Sequence, residues 1–221
     1  LLKIIIFKIL SLMTLLSFRE THDDGVISVY KINSKFNYSY LSSKLNNSLY
    51  HCNGYTTNKR KSAVFTLQNE KIGKPLSDDW LLVPPRYIYQ KFNPILIDLR
   101  NEILNSNLVP NAENLTDAFV NLYDNGDFIA FHKDHHDEDN INPTACILSF
   151  EKYDNEYHVM QFYRTIGDKY APTKKDKGIN KEEFDLILPN SSLAVMIGMQ
   201  KKYVHAIKPG NNRISIVFTT R

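Results

Sequence analysis

From residue 117 onward, apolar and polar residues alternate in short runs that are separated by turn-forming residues. Alternation with a period of two is typical of strands that bury one face. Turn signals between the runs include Asp124-Asn125-Gly126 and Pro209-Gly210. Eight strands are predicted, over residues 117–123, 127–132, 144–150, 157–164, 183–188, 192–198, 203–207 and 213–219. Eight such strands without intervening helices predict a mainly β fold, a double-stranded β-helix (jelly roll) with one or two flanking helices.

Ahead of these strands, residues 93–104 have the spacing of a helix. Their apolar side chains recur three and four residues apart, which places them on one face. Asn93 is suited to cap this helix, and Pro94 is suited to begin it. We expect the helix to pack on the outer face of one sheet. The polar stretches 33–61 and 173–182 are predicted to be surface loops or weak strands.

The first eighteen residues differ from the rest of the chain by their apolar composition. They are compatible with a secretion signal, a membrane anchor or an amphipathic docking helix. Lys3 and Lys8 leave an uninterrupted apolar stretch over residues 9–18, which is too short to cross the ~30 Å of hydrocarbon in a bilayer. The sequence therefore favours a docked or dispensable segment, although secretion or anchoring by residues 1–18 stays open. We assign residues 41–221 to one globular domain and leave residues 1–40 unassigned.

Composition narrows the class of protein only moderately. The 221 residues are 43 % hydrophobic, which suits a globular chain with a sizeable core. A net charge of +3 allows contact with a polyanion without requiring it. Two cysteines are too few for a disulfide scaffold, and Cys146 lies in an apolar run that predicts a buried thiol. These features favour a reducing, intracellular compartment.

Three residues of the strand region have the side chains of a metal site. His132 and Asp134 lie two residues apart at the end of a predicted strand, so both point to one face. His205, in the predicted strand 203–207, is able to close the ligand set. Two histidines and one carboxylate leave positions open on an octahedral ion, the arrangement of non-haem Fe(II) oxygenases. A lone His-x-Asp is more often a solvated turn, and residues 132–139 are polar enough for adventitious metal binding.

Arg213 makes the metal interpretation more specific. It lies eight residues after His205, at the start of a predicted strand. The apolar residues Ile214 and Ile216 point one way, so Arg213 and Ser215 share the opposite face. A guanidinium inside a barrel needs an anion, because an unpaired buried charge is strongly destabilising. A dicarboxylate cosubstrate would supply that anion, whereas an outward-facing arginine would form an ordinary surface salt bridge.

Together these residues resemble the 2-oxoglutarate- and Fe(II)-dependent dioxygenases, and among them the AlkB-like nucleic-acid demethylases. The resemblance covers roughly residues 58–220, and the segment 119–134 is its most specific part. Weaker similarities lie in residues 59–65, 148–150 and 161–164. The positions that carry the resemblance are, in chain order, Asn121-x-Tyr123, His132-x-Asp134, His205 and Arg213-x-Ser215.

The resemblance implies a role for each of these residues. It implies that His132, Asp134 and His205 bind Fe(II). It also implies that Arg213 pairs with the distal carboxylate of 2-oxoglutarate. Hydrogen bonds to the cosubstrate are implied for Asn121, Tyr123 and Ser215. The implied activity is oxidative removal of alkyl groups from N-alkylated bases of DNA or RNA, with O2 as oxidant. We expect an intracellular location, nuclear or cytoplasmic, and infer no obligate protein partner.

Other positions bear on the substrate. Arg60, Lys61 and Arg86 are expected at a basic rim that contacts nucleic acid, and a solvated charge run is the alternative for each. Two positions depart from the family pattern. Thr219 stands where a second arginine is usual, and His136 stands where an acidic residue helps to read the base. The alternative functions are a 2-oxoglutarate-dependent hydroxylase of a protein or small molecule and a catalytically inert jelly-roll binding module.

Overall fold

The fold consists of β-strands in two sheets, with helices on one side. The computed structural model describes residues 13–20, 25–51, 58–76, 87–132, 134, 144–164 and 183–220. The helices in these ranges are α1 (Tyr38–Leu45) and α2 (Pro94–Ser106). The strands are β1 (Met13–Glu20), β2 (Val26–Ile32), β3 (Tyr50–His51), β4 (Asn58–Lys59), β5 (Lys61–Thr66), β6 (Gln90–Lys91), β7 (Leu115–Tyr123), β8 (Phe128–His132), β9 (Thr144–Glu151), β10 (Tyr157–Arg164), β11 (Glu183–Pro189), β12 (Ser192–Ile197), β13 (Tyr203–Ile207) and β14 (Arg213–Thr220).

The described strands form two sheets that face each other. The large sheet has the order β1-β2-β12-β9-β14-β7-β5-β3, and β6 joins β5 in parallel. The small sheet has the order β11-β10-β13-β8-β4, and its strands pair antiparallel. From β7 onward the chain passes repeatedly between the two sheets, with β7, β9, β12 and β14 in the large one. All eight strands predicted from residue 117 onward are present, and the jelly-roll prediction is confirmed.

Two hydrophobic cores lie on the two faces of the large sheet. The inner core fills the space between the sheets, where Ile147 of β9 lies in the same cluster as Phe162 of β10. The outer core joins Leu96, Leu99 and Ile103 of α2 to the large sheet, as predicted. Asn93 caps α2, since its side chain accepts a hydrogen bond from the amide of Leu96. The helix continues two residues beyond the predicted end at residue 104.

The helix α1 corrects the prediction for residues 33–61. Loops or weak strands were expected there, and the structure has a helix over Tyr38–Leu45. Its Ser- and Tyr-rich sequence has weak helix propensity, so packing decides the conformation. Leu41 and Leu45 are buried in the outer core, and the Asn37 side chain accepts from the amide of Tyr40. The second polar stretch, 173–182, lies outside the described residues.

The strands β1 and β2 extend the large sheet on the N-terminal side of residue 41. β2 pairs with β12 from Val26↔Ile197 to Lys31↔Ser192, and β1 pairs with β2. Residues that precede the predicted domain start at residue 41 are therefore part of this sheet. Of the apolar segment 1–18, residues 1–12 lie outside the described residues. Neither helix in the described ranges has the length and apolar content that crossing a bilayer requires.

Packing of α2 gives a prediction for stability. Leu99→Ala removes a fully buried side chain, so we expect it to lower the free energy of unfolding by about 2–5 kcal/mol. Ile97→Ala, on the same helix at 41 % exposure, is the matched control and should cost less than about 1 kcal/mol. Urea denaturation measures both. Equal losses at the two positions would contradict the assigned orientation of the helix.

Candidate active site

A cavity of about 250 Å³ opens between the two sheets. Its lining side chains are Arg60, Ser62, Ala63, Leu76, Tyr87, Phe119, Asn121, Tyr123, Ile129, His132, Asp134, Ile147, Met160, His205, Ile207, Arg213, Ser215 and Val217. Strand register explains why polar groups occur together here. Ser62 of β5, Asn121 of β7 and Ser215 of β14 lie opposite one another in adjacent strands. They form a polar row on the inner face of a sheet that is otherwise largely apolar.

The small sheet brings the predicted metal ligands together. β13 pairs with β8 so that His205 lies opposite His132, and Asp134 follows two residues after His132. Asp134 Oδ1 is 3.5 Å from His132 Nε2, and Asp134 Oδ2 is 3.8 Å from His205 Nε2. The three side chains each offer one ligand atom, and these atoms lie within 4.8 Å of one another. They are close enough to hold one metal ion.

A backbone contact fixes the tautomer of His132. His132 Nδ1 lies 2.8 Å from the carbonyl oxygen of Ala130, so Nδ1–H donates to that oxygen. The lone pair is then on Nε2, the atom that faces Asp134. The ring of His132 lies 4.4 Å from the ring of His205, measured between centroids. The imidazole of His132 is therefore oriented before a metal ion arrives.

Gln200 orients the carboxylate of Asp134 in the predicted ligand set. The sequence did not indicate this role for Gln200. The Asp134 amide donates to Gln200 Oε1 at 2.6 Å, and Gln200 Nε2 donates to Asp134 Oδ2 at 2.7 Å. Gln200 is buried on the 3-10 turn Met199–Lys201, between β12 and β13. These two hydrogen bonds hold both the backbone and the carboxylate of Asp134. A polar residue in a turn has no periodicity or spacing that indicates such a role.

Arg213 supplies a buried positive charge on the opposite wall. It is 1 % exposed, and its Cζ lies 5.3 Å from the centroid of the Tyr123 ring. The nearest carboxylate is Glu151, with Oε1 3.8 Å from Arg213 Nε, too far for a hydrogen bond. Arg213 Nε and Nη1 are buried without a hydrogen-bond partner among the described residues. Burial lowers the pKa of Arg213, and the charges of Tyr123 and Glu151 act in the opposite direction.

Two of the basic residues predicted at the rim have different surroundings. Arg60 lines the cavity, and its Nε donates to Asn121 Oδ1 at 2.7 Å. Because Oδ1 of Asn121 is used in this way, its Nδ2 is the group left to donate to a ligand. Lys61 is not part of the cavity lining, and its Nζ donates to Asn46 Oδ1 at 2.9 Å. The structure therefore brings Arg60, but not Lys61, to the predicted site.

Of the two positions that depart from the family pattern, Thr219 and His136, the structure describes Thr219. Thr219 is fully buried on β14, on the same inner face as Arg213 and Ser215, and is not among the lining residues. His136 and Arg86 lie outside the described residues. Cys146 is buried as predicted, and burial raises the pKa of its thiol.

The sequence model of the 2OG-Fe(II) oxygenase superfamily matches residues 41–218. The chain belongs to this superfamily. The enzymes of this superfamily are oxygenases that use Fe(II), 2-oxoglutarate and O2, and these are the cofactor and cosubstrates of the present chain. The described residues fit both Fe(II) and 2-oxoglutarate. Two imidazoles and a carboxylate are the donor set of non-haem Fe(II). The N–H groups of Arg213 that have no hydrogen-bond partner within the described ranges suit a carboxylate.

Two solved structures are similar to this oxygenase. A Pseudomonas putida prolyl-4-hydroxylase has 13 % identity and a TM-score of 0.44, and the match covers 83 % of each chain. OsALKBH1 has 10 % identity and a TM-score of 0.49, and the match covers 93 % of this chain and 100 % of that chain. Both TM-scores are low, so the family assignment rests on the sequence match. No curated protein matches this chain.

The two hydrogen bonds from Gln200 predict its effect on metal binding. Gln200→Ala frees the Asp134 carboxylate to rotate, and loss of such an outer partner weakens metal affinity by about 10–100-fold. Titration of the protein with Mn²⁺, followed by calorimetry, measures the change. Gln161→Ala is the matched control, because Gln161 Nε2 donates to Glu183 on the exposed side of β10. An unchanged Mn²⁺ affinity in Gln200→Ala would contradict the role of this side chain.

Proposed function

We propose that this oxygenase removes alkyl groups from N-alkylated bases of DNA or RNA, in the manner of the AlkB-like demethylases that its motifs resemble. The observation that carries the proposal is a single cavity containing three parts. One part is the His132–Asp134–His205 set, and the second is the buried, partly unpaired guanidinium of Arg213. The third is an apolar wall to which Leu76, Tyr87 and Phe119 contribute.

In this proposal His132, Asp134 and His205 would hold Fe(II). Bound Fe(II) and 2-oxoglutarate would supply the oxidation: O2 is consumed, 2-oxoglutarate gives succinate and CO2, and the N-alkyl carbon is hydroxylated. The N–C bond of the hydroxylated group then breaks, which leaves the unmodified base and releases an aldehyde, formaldehyde in the case of a methyl group. The protein keeps Nε2 of His132 available through the Ala130 carbonyl and keeps the Asp134 carboxylate in place through Gln200. These contacts favour one ligand geometry without an ordering step at the moment of binding.

The large sheet binds the cosubstrate in this proposal. Arg213 pairs with the distal carboxylate, for which its planar guanidinium offers two donors with the right geometry. Asn121, Tyr123 and Ser215 lie in adjacent strands on the same face and supply further hydrogen bonds. Arg60 fixes the amide of Asn121, so that its Nδ2 is directed away from Arg60.

The apolar wall favours a flat, uncharged group as the part of the substrate that enters. Tyr87 and Phe119 present aromatic rings to the cavity, and a base flipped out of its strand packs well on such surfaces. Arg60 has a buried Nη1 without a hydrogen-bond partner in the described part of the chain. This donor is available to a carbonyl of the base or to the first phosphate beside it. A nucleic-acid substrate corresponds to action in the nucleus or cytoplasm.

The ligand assignment predicts loss of turnover. His132→Ala, Asp134→Ala and His205→Ala each remove one of three protein ligands, so we expect succinate formation to fall by at least about 100-fold in each. His51→Ala is the control, because His51 is an exposed histidine outside the cavity lining. Thermal unfolding verifies that the variants fold. Near wild-type succinate formation in any of the three would remove that residue from the ligand set.

Substrate class is tested by stimulated turnover. Succinate and formaldehyde are measured with methylated single-stranded DNA, methylated RNA and a proline-containing peptide. Each oligonucleotide is compared with its unmethylated form, and the peptide is compared with a version in which the proline is replaced. We expect formaldehyde with a methylated oligonucleotide, and binding that weakens by at least about tenfold between 50 and 200 mM salt, because phosphate contacts release counterions. Succinate release stimulated by the peptide alone would instead assign the enzyme to protein hydroxylation. Absence of turnover with wild-type, iron-loaded protein would favour an inert binding module.

A further inference from the structure

Arg213 is adjacent to a buried carboxylate–imidazole pair that the proposed reaction does not use. Glu151 Oε1 lies 3.8 Å from Arg213 Nε, and Glu151 Oε2 lies 2.8 Å from His158 Nδ1. The side chains of Glu151 and His158 are both 0 % exposed. Three ionisable groups therefore form one buried cluster between β9, β10 and β14.

Neutral donors, rather than Arg213, hold the Glu151 carboxylate in place. Ser149 Oγ donates to Oε1 at 3.0 Å, and His158 Nδ1–H donates to Oε2 at 2.8 Å. Arg213 contributes through charge alone, since 3.8 Å exceeds hydrogen-bond distance. The guanidinium thus has its balancing charge nearby while its donors stay available for a ligand.

The cluster is electrically balanced when His158 is neutral. Arg213 contributes one positive charge and Glu151 one negative charge. Burial lowers the pKa of the His158 imidazole, and the hydrogen bond to Glu151 only partly offsets this. His158 Nε2 is buried with no hydrogen-bond partner in the described ranges, and a Cβ on Gly210 would lie 2.8 Å from it. The neutral imidazole keeps its lone pair on this atom.

A bound dicarboxylate disturbs the balance. Its distal carboxylate adds a second negative charge beside one guanidinium, and two carboxylates in a dry space repel each other unless a second positive charge is present. The described charged and titratable groups that face His158 are Glu151, Glu156, Arg213 and the phenol of Tyr123, whose ring centroid is 5.9 Å from the imidazole. The two glutamates favour an imidazolium. The positive charge of Arg213 disfavours an imidazolium at His158, and a carboxylate bound to Arg213 reduces this effect.

We propose that Glu151 is the counter-ion of Arg213 in the enzyme without cosubstrate, and that His158 takes up a proton when 2-oxoglutarate binds. The proton comes from solvent and binds Nε2 of His158. Arg213 is then paired with the cosubstrate, and Glu151 is paired with the imidazolium. Both residues act through Arg213 and are positioning residues for the cosubstrate. The inference rests on the proposed role of Arg213.

Proton uptake is measured directly by calorimetry. The Mn²⁺-loaded protein is titrated with 2-oxoglutarate at about pH 6.5, near the ordinary pKa of histidine, in buffers that differ in ionisation enthalpy. We expect uptake of about half to one proton for each 2-oxoglutarate bound. 2-Oxopentanoate is the matched ligand, because it has the same chain and the same 2-oxo acid but a methyl group in place of the distal carboxylate. It should bind without proton uptake.

Two variants separate this electrostatic role from a structural one. His158→Asn should bind 2-oxoglutarate without proton uptake, whereas His51→Ala, at an exposed histidine, should keep the wild-type uptake. Glu151→Gln retains the shape but not the charge, so the cosubstrate becomes the counter-ion of Arg213. It should bind 2-oxoglutarate at least as tightly as the wild type and without proton uptake. A merely structural role predicts weaker binding instead.

The remaining outcomes distinguish failure of the inference from failure of the cosubstrate role of Arg213. Wild-type binding without proton uptake, or undiminished uptake in His158→Asn, would overturn the inference and leave the cosubstrate role of Arg213 intact. If His158→Asn does not fold, weaker binding by folded Glu151→Gln overturns the inference and tighter binding without uptake supports it. Equal affinity of the wild type for 2-oxoglutarate and 2-oxopentanoate would reject the role of Arg213 itself, and with it the inference.

Discussion

A guanidinium buried between two sheets must find its balancing charge inside the protein. Arg213 is 1 % exposed, so bulk water solvates its charge little. Burial of this charge would be strongly destabilising without Glu151. The Glu151 carboxylate in turn accepts hydrogen bonds from Ser149 and His158. The buried polar cluster of Ser149, Glu151 and His158 is therefore arranged around one charge. In the proposed function the same charge provides the specificity for a dicarboxylate cosubstrate.

The register of the strands determines which residues can take part in the site. Arg213 lies opposite Tyr123, Ser215 lies opposite Asn121, and the next neighbour of Asn121 is Ser62. Because side chains alternate between the two faces of a strand, a shift by one residue in β14 would exchange Arg213 for Ile214 at the cavity. The outer core opposes such a shift, since Ile214 is fully buried against it. Packing on one face thus holds the chemistry on the other.

Much of this arrangement could be predicted from the sequence, because it follows from local periodicity. Alternation in β14 was sufficient to place Arg213 and Ser215 on one face, and the spacing of His132 and Asp134 was sufficient to bring them together. Gln200 and the Glu151–His158 pair were not predicted. Their roles arise from contacts with residues distant in sequence. Gln200 lies 66 positions after Asp134, and Glu151 of β9 lies beside Arg213 of β14. The helix α1 was missed for a related reason, since burial of Leu41 and Leu45 outweighs its weak propensity.

The two sheets contribute different halves of the site, and this division gives the inner core a second role. His132 and His205 belong to the small sheet, while Arg213 and Asn121 belong to the large one. Facing sheets lie about 10 Å apart, a separation set by the side chains packed between them. In the proposed function that separation sets the distance from the metal to the guanidinium, and therefore the length of dicarboxylate that reaches both. Under that proposal, close packing of residues such as Ile147 and Met160 helps to select the cosubstrate as well as stabilising the fold.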